Sequence, residues 1–144
     1  MRNSTTGVID WSSTNASAVF NACIGNLTNG GKIFIKAGNY SLSTQITGED
    51  NIVIEGEGES TLLHLASGAN SNVFFASQKN NIAISDLKTD GNKDGQTDGH
   101  GGIYLTECKN TLIEHVTVVN PRKFGIAFFG STTEDTSVNN IVAL

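Results

Sequence analysis

The chain has 144 residues and 15.2 kDa, a size that fits one domain and argues against a two-domain enzyme. Gly 16, Asn 16, Thr 15 and Ser 13 fill 60 of the 144 positions, a turn-rich and β-leaning composition, while 13 Ile and 9 Val supply a packed core and exclude wholesale disorder. A formal charge of −5 and a pI near 5.0, with no basic stripe, argue against nucleic acid as the main partner and disfavour anionic membrane surfaces.

No stretch approaches the roughly 18 apolar residues of a membrane span, and Met1 to Thr6 lead into no hydrophobic signal core. Cys23 and Cys108 match neither a CxxC nor a zinc spacing and read as two buried small hydrophobes. Asn3, Asn15, Asn26 and Asn39 each begin an Asn-x-Ser/Thr triplet, which a chain this rich in Asn, Ser and Thr produces by chance.

The first predicted element is a helix over 14–27, in which Ala16, Val19, Phe20, Cys23, Ile24 and Leu27 recur at helical spacing and Ser13 or Thr14 provides the cap. Asn29-Gly30-Gly31 ends it, and Ile33 and Ile35 then alternate with Lys32, Phe34 and Lys36 at strand spacing. Beyond residue 50 the chain repeats itself. Asn51-Ile52-Val53-Ile54 recurs as Asn81-Ile82-Ala83-Ile84, more loosely as Asn110-Thr111-Leu112-Ile113, and in degenerate form near Val138, at intervals of 30, 29 and 25 residues. A second track aligns Val73-Phe74-Phe75, Ile103-Tyr104-Leu105 and Ile126-Ala127-Phe128, and a third runs through Leu63 and Leu65, Leu87, Val116 and Val118, then Ile141.

Three short strands per repeat, separated by Gly/Asn corners, describe an all-β solenoid of about four coils over 31–144, stacked in parallel about 4.8 Å apart. Asn51, Asn81 and Asn110 fit either a stacked amide ladder or plain turn asparagines.

The chain also resembles the pectate-lyase-like, right-handed parallel β-helix proteins, a group that includes phage-tailspike-type proteins. The residues that carry the resemblance begin with Gly30-Gly31-Lys32-Ile33-Phe34-Ile35-Lys36-Ala37-Gly38-Asn39-Tyr40, in which Lys36-Ala37 stands where the family usually has Leu-Pro. They continue through Ile52-Val53-Ile54-Glu55-Gly56-Glu57-Gly58, Thr61-Leu62-Leu63 and Leu87-Lys88-Thr89-Asp90-Gly91-Asn92. The resemblance implies a right-handed β-helix with an N-terminal capping helix, usually in chains several hundred residues long. Because this sequence stops inside a repeat, it reads as the N-terminal part of a longer chain, or as a short form whose open C-terminal coil is covered by another copy. An extracellular, cell-surface or virion location goes with that family.

The most polar insert is Asp90-Gly91-Asn92-Lys93-Asp94-Gly95-Gln96-Thr97-Asp98. It fits the calcium-loop spacing, with Asp90, Asn92, Asp94 and Asp98 as the oxygen ligands, although Gly101 stands where that loop carries its bidentate Glu. The alternative is a solvated corner between strands. Register stacks Asn120-Pro121-Arg122-Lys123 beside this insert, so Arg122, Lys123 and His100 form a candidate binding group for an acidic sugar. The family's lyases use calcium with a basic side chain, but no family catalytic motif aligns onto Arg122 or Lys123. Charge pairing between the two loops is the plainer reading.

Glu55, Glu57 and Glu59 read as an acidic strip near one edge or, more plainly, as a soluble Gly-rich corner, His64 as the solvent side of a strand, and His115 as an outward turn residue at the place Asp86 holds one coil earlier. No Ser-His-Asp set or phosphate loop is visible along the sequence. Two functions follow from the resemblance. One is the N-terminal section of a lyase- or hydrolase-like protein acting on an acidic polysaccharide, not active by itself. The other is a non-catalytic structural or adhesion module of a phage or cell-surface fibre, which an outer face poor in outward aromatics would favour.

Overall fold

The computed structural model describes residues 15–99 and 101–130, and the backbone of 134–139 and 142–143. Trp11, His100 and Ile141 lie outside the described residues. Among the described residues the fold is mostly β, with parallel sheets and one α-helix.

The strands form three parallel ladders. The first stacks β1 (Gly31–Phe34), β4 (Ile52–Glu55), the start of β7 (Asn80–Asp90), the start of β9 (Lys109–Val119) and β11 (Glu134–Asn139). The second stacks β2 (Gly38–Leu42), β5 (Thr61–Leu65), the ends of β7 and β9, and β12 (Val142–Ala143). The third stacks β3 (Ile46–Thr47), β6 (Phe74–Ser77), β8 (Ile103–Thr106) and β10 (Ile126–Phe129).

Side chains alternate across each strand, so every second residue enters one shared core. Ile33, Ile54, Ile84 and Ile113 pair in register and form a buried column, each removed from water almost completely. Full burial of such a side chain stabilises by about 1.5–3 kcal/mol, so the column makes a one-residue slip of this ladder costly.

The second track differs from its sequence expectation by one residue: Phe74, not Val73, pairs with Ile103. Gly102 O accepts from both Val73 N (2.9 Å) and Phe74 N (3.3 Å), so the chain takes up an extra residue where the ladder begins. Val73 and Phe74 are both buried as a result, and Phe75 turns outward.

The helix α1 spans Ala16–Asn26, and its cap is Asn15, whose Oδ1 accepts from Ala18 N, rather than Ser13 or Thr14. Phe20, Cys23 and Ile24 are buried against the core. Its polar face saturates the edge of the first turn: Ser17 Oγ donates to Thr44 O and accepts from Thr44 N, while Asn21 donates to Gln45 O and accepts from Thr47 N. An open strand edge is thereby closed by side chains.

Corners are made by left-handed residues. Asn51, Asn81 and Asn110 have φ of 60°, 59° and 51°, and their side chains form an exposed amide ladder, Asn81 Nδ2 to Asn51 Oδ1 at 2.7 Å and Asn110 Nδ2 to Asn81 Oδ1 at 3.2 Å. Asp86 and His115 (φ 53° and 49°) turn the chain from the first ladder to the second.

Candidate functional site

The outer face of the second ladder brings together polar side chains that are distant in sequence. Parity puts Tyr40, Leu63 and Thr89 inward, and Ser41, His64, Lys88 and Asp90 outward. Ser41 pairs with His64, and His64 with Asp90, so hydroxyl, imidazole and carboxylate occupy successive rungs of one column, about 4.8 Å apart. Lys88 pairs with Leu62 in the adjacent column, one diagonal from His64. Beyond the ladder hydrogen bonds of their backbones, the side chains of Ser41, His64 and Lys88 have no hydrogen bond or ion pair with another described residue. Asp90 is anchored: its Oδ1 accepts from Asn92 N at 2.8 Å and from Asn120 Nδ2 at 3.2 Å.

Glu59 approaches this face from a 3-10 turn at Gly58–Ser60 and accepts from Thr117 Oγ1 at 2.7 Å, two rungs away. The path requires Gly56, where an added Cβ would stand 2.4 Å from Asp86 O. The three alternating glutamates do not act together, since Glu55 pairs with Lys32 at 2.7 Å and Glu57 accepts from Ala37 N.

Beside this face the 91–99 and 120–125 loops stack, as their register predicts. Gly91 N donates to Val119 O and Lys93 N to Asn120 O. Buried Gln96 holds the stack: its side chain accepts from Asn70 N and donates to Ala66 O, and its own carbonyl accepts from Arg122 Nη1 at 2.7 Å. Lys123 lies 3.5 Å from Asp98. The Gly99 N–H first, and Lys123 second, hold the Asp98 carboxyl below its ordinary value.

Asp90, Asn92, Asp94 and Asp98 are therefore placed as follows. Asp90 faces the second ladder, Asn92 donates through Nδ2 to Leu65 O, Asp94 sits on a 3-10 turn at Lys93–Gly95, and Asp98 faces Lys123. Among the described residues no group of three or more acidic, His or Cys side chains gathers where it could hold a metal.

The other outer faces differ. On the third ladder, Phe75 and Tyr104 stack with centroids 6.0 Å apart and planes at 14°. Phe34, Phe124 and Phe129 are exposed, so the outer surface is richer in aromatics than the sequence suggested, with Phe20 and Phe74 as the fully buried phenylalanines. At the corner, His115 Nδ1 lies 3.5 Å from Asp86 Oδ1, in the outward position expected of it.

Sequence reasoning missed Ser41, Lys88 and the role of His64. The signal was the repeat interval: Ser41 to His64 and His64 to Asp90 are each close to one repeat, but the second ladder carries the weakest hydrophobic track, with Thr89 at an inward position.

No family model and no curated protein matches the sequence. Solved structures do match in fold. A candidate glycosyl hydrolase from Parabacteroides merdae superposes with a TM-score of 0.77 at 14% identity, covering 91% of this chain and 70% of that one. The A-modules of two mannuronan C-5 epimerases from Azotobacter vinelandii, AlgE4 and AlgE6, give TM-scores of 0.76 and 0.72 at 16% identity each. They are covered over 50% and 48% of their length, against 96% and 92% of this chain, so the chain spans about half of each epimerase module. At these identities the likeness concerns the fold: the neighbours are parallel β-helix proteins of the pectate-lyase-like kind.

Proposed function

We propose that the three ladders are the faces of a right-handed parallel β-helix, each turn adding one strand to each face, and that the chain is the β-helix section of a protein acting on an acidic polysaccharide. The glycan lies on the outer face of the second ladder, beside the 91–99 and 120–125 loops. One observation carries this reading: half-buried Lys88 and His64 stand on a rigid sheet without a described partner, between the anchored carboxylates Asp90 and Glu59. The Lys88 ammonium has no ion pair with another described residue, and a ligand carboxylate would give it a charge-assisted partner on this face. Asp90 and Glu59 are acceptors for sugar hydroxyls, and Arg122 and Lys123 extend the positive rim. That the similar structures include a candidate glycosyl hydrolase and mannuronan epimerases supports a carbohydrate ligand.

The fibre-module alternative is favoured by an outer face poor in aromatics, and exposed Phe34, Phe124 and Phe129 weigh against it. The test is calorimetric titration with uronate oligosaccharides of the wild type and of Lys88→Ala. Binding weakened at least about tenfold by Lys88→Ala, a loss of about 1.4 kcal/mol, is expected. No binding by either protein would return the chain to the scaffold reading, and equal binding by both would remove Lys88 and the second-ladder face from the proposal.

A further inference from the structure

We propose that Ser41, His64 and Asp90 form a nucleophile, base and orienting carboxylate that removes O-acyl groups from the glycan held on the second ladder. The inference rests on that face binding a glycan and assigns it a reaction. No pairing along the sequence suggests it. The three residues meet only because strands β2, β5 and β7 stack in one register.

The chemistry needs a hydroxyl within reach of an imidazole, and an imidazole oriented by a carboxylate. Directly opposed outward side chains on neighbouring strands have Cβ atoms roughly 4.5–5.5 Å apart. From that spacing a rotamer change at His64 brings one ring nitrogen to Ser41 Oγ and the other to Asp90. Such contacts are commonly long in a ligand-free site and tighten on binding. Ser41 is exposed and His64 half-buried, and neither is tied to another described residue. Asp90 has the opposite character. Two donors fix its Oδ1, which leaves Oδ2 as the orienting oxygen.

In the first step Ser41 Oγ adds to the ester carbonyl carbon as His64 takes the hydroxyl proton. The carbonyl electron pair moves onto oxygen, where the Lys88 ammonium is the nearby positive charge on the same face. Collapse of this intermediate breaks the bond to the sugar oxygen, which leaves as the alcohol with the proton from His64. Water then adds to the acyl-serine with His64 again as base, releasing the carboxylic acid and restoring Ser41. No metal, oxidant or second substrate beyond water is consumed.

The experiment measures acetate released from an acetylated uronate polymer, with p-nitrophenyl acetate as a second ester, by the wild type, Ser41→Ala, His64→Gln and Asp90→Asn. A serine-directed fluorophosphonate is used to locate the nucleophile by peptide mass spectrometry. Release by the wild type, a fall of at least about 100-fold in Ser41→Ala and His64→Gln, and labelling at Ser41 are expected. Glycan binding is read separately, by calorimetric titration of the wild type and Lys88→Ala with uronate oligosaccharides, which separates this reaction from binding. Asp90→Asn also loosens the loop, so it is read against the melting temperature. No release by wild type, full release by Ser41→Ala, or labelling at another residue would overturn the assignment while leaving glycan binding to stand or fall on its own titration.

Discussion

The Asn81 corner offers the sharpest test of how the turns are held together. Asn81 sits at φ 59° in the middle of the amide ladder, donating to Asn51 at 2.7 Å and accepting from Asn110 at 3.2 Å. Alanine removes both side-chain hydrogen bonds, each worth about 0.5–1.5 kcal/mol. It also forces a Cβ-bearing residue without a helpful side chain into the left-handed region, at roughly 1–2 kcal/mol. The expected loss is therefore about 2–5 kcal/mol, a large fraction of the stability of a domain this size. Glycine separates the two contributions, because it accepts positive φ without penalty and loses only the amide bonds. Asn81→Gly should fall between wild type and Asn81→Ala. Urea unfolding followed by circular dichroism measures all three proteins. An Asn81→Ala variant within about 0.5 kcal/mol of wild type, less than one ordinary hydrogen bond, would refute the ladder as a stabilising device.

Three further predictions are independent of that corner. Thr89 Oγ1 is buried without a hydrogen-bond partner, so Thr89→Val, which keeps the shape and removes the orphan hydroxyl, should stabilise by up to about 1–2 kcal/mol in the same urea assay; destabilisation would show that the hydroxyl is satisfied. Asp98 titrates below its ordinary value of 3.8, so its ionised form favours the fold above that value, and this contribution disappears as pH falls through the depressed folded value. Lys123→Gln should move the Asp98 midpoint up, followed by carboxyl NMR, but only part of the way, because the Gly99 N–H is the larger cause; an unmoved midpoint contradicts the pairing. Because Asp90 and Asp98 are already engaged and the acidic side chains do not gather, calcium at about 1 mM should shift the melting temperature by less than about 1 °C. A larger, chelator-reversible shift that is lost in Asp94→Ala would instead make the 90–98 loop a calcium site.

The first ladder was legible because isoleucine recurs there with little variation. Ile54, Ile84, Ile113 and Val138 occupy the aligned positions that their spacing indicated. The stacking of the 120–123 segment on the acidic insert was legible for the same reason, since a fixed repeat carries loops along with strands. The third ladder slipped by one residue because Val73, Phe74 and Phe75 are all apolar, and only the shared acceptor at Gly102 decides which of them opens the strand. The helix start was misjudged by a residue or two because Ser13, Thr14 and Asn15 are all good caps, and the choice depends on where the first turn docks. The second ladder was least legible, and the candidate site sits there. Outward polar residues follow no hydrophobic period, so Ser41, His64, Lys88 and Asp90 become neighbours only when register is known.

The central claim is that the outer face of the second ladder receives a glycan. Amide and side-chain NMR shifts during titration with a uronate oligosaccharide test it most directly. The account predicts perturbations centred on Ser41, His64, Lys88 and Asp90, fading through Arg122 and Lys123 and absent from Phe75 and Tyr104. Perturbations centred on the third ladder, or none at millimolar sugar, would contradict it.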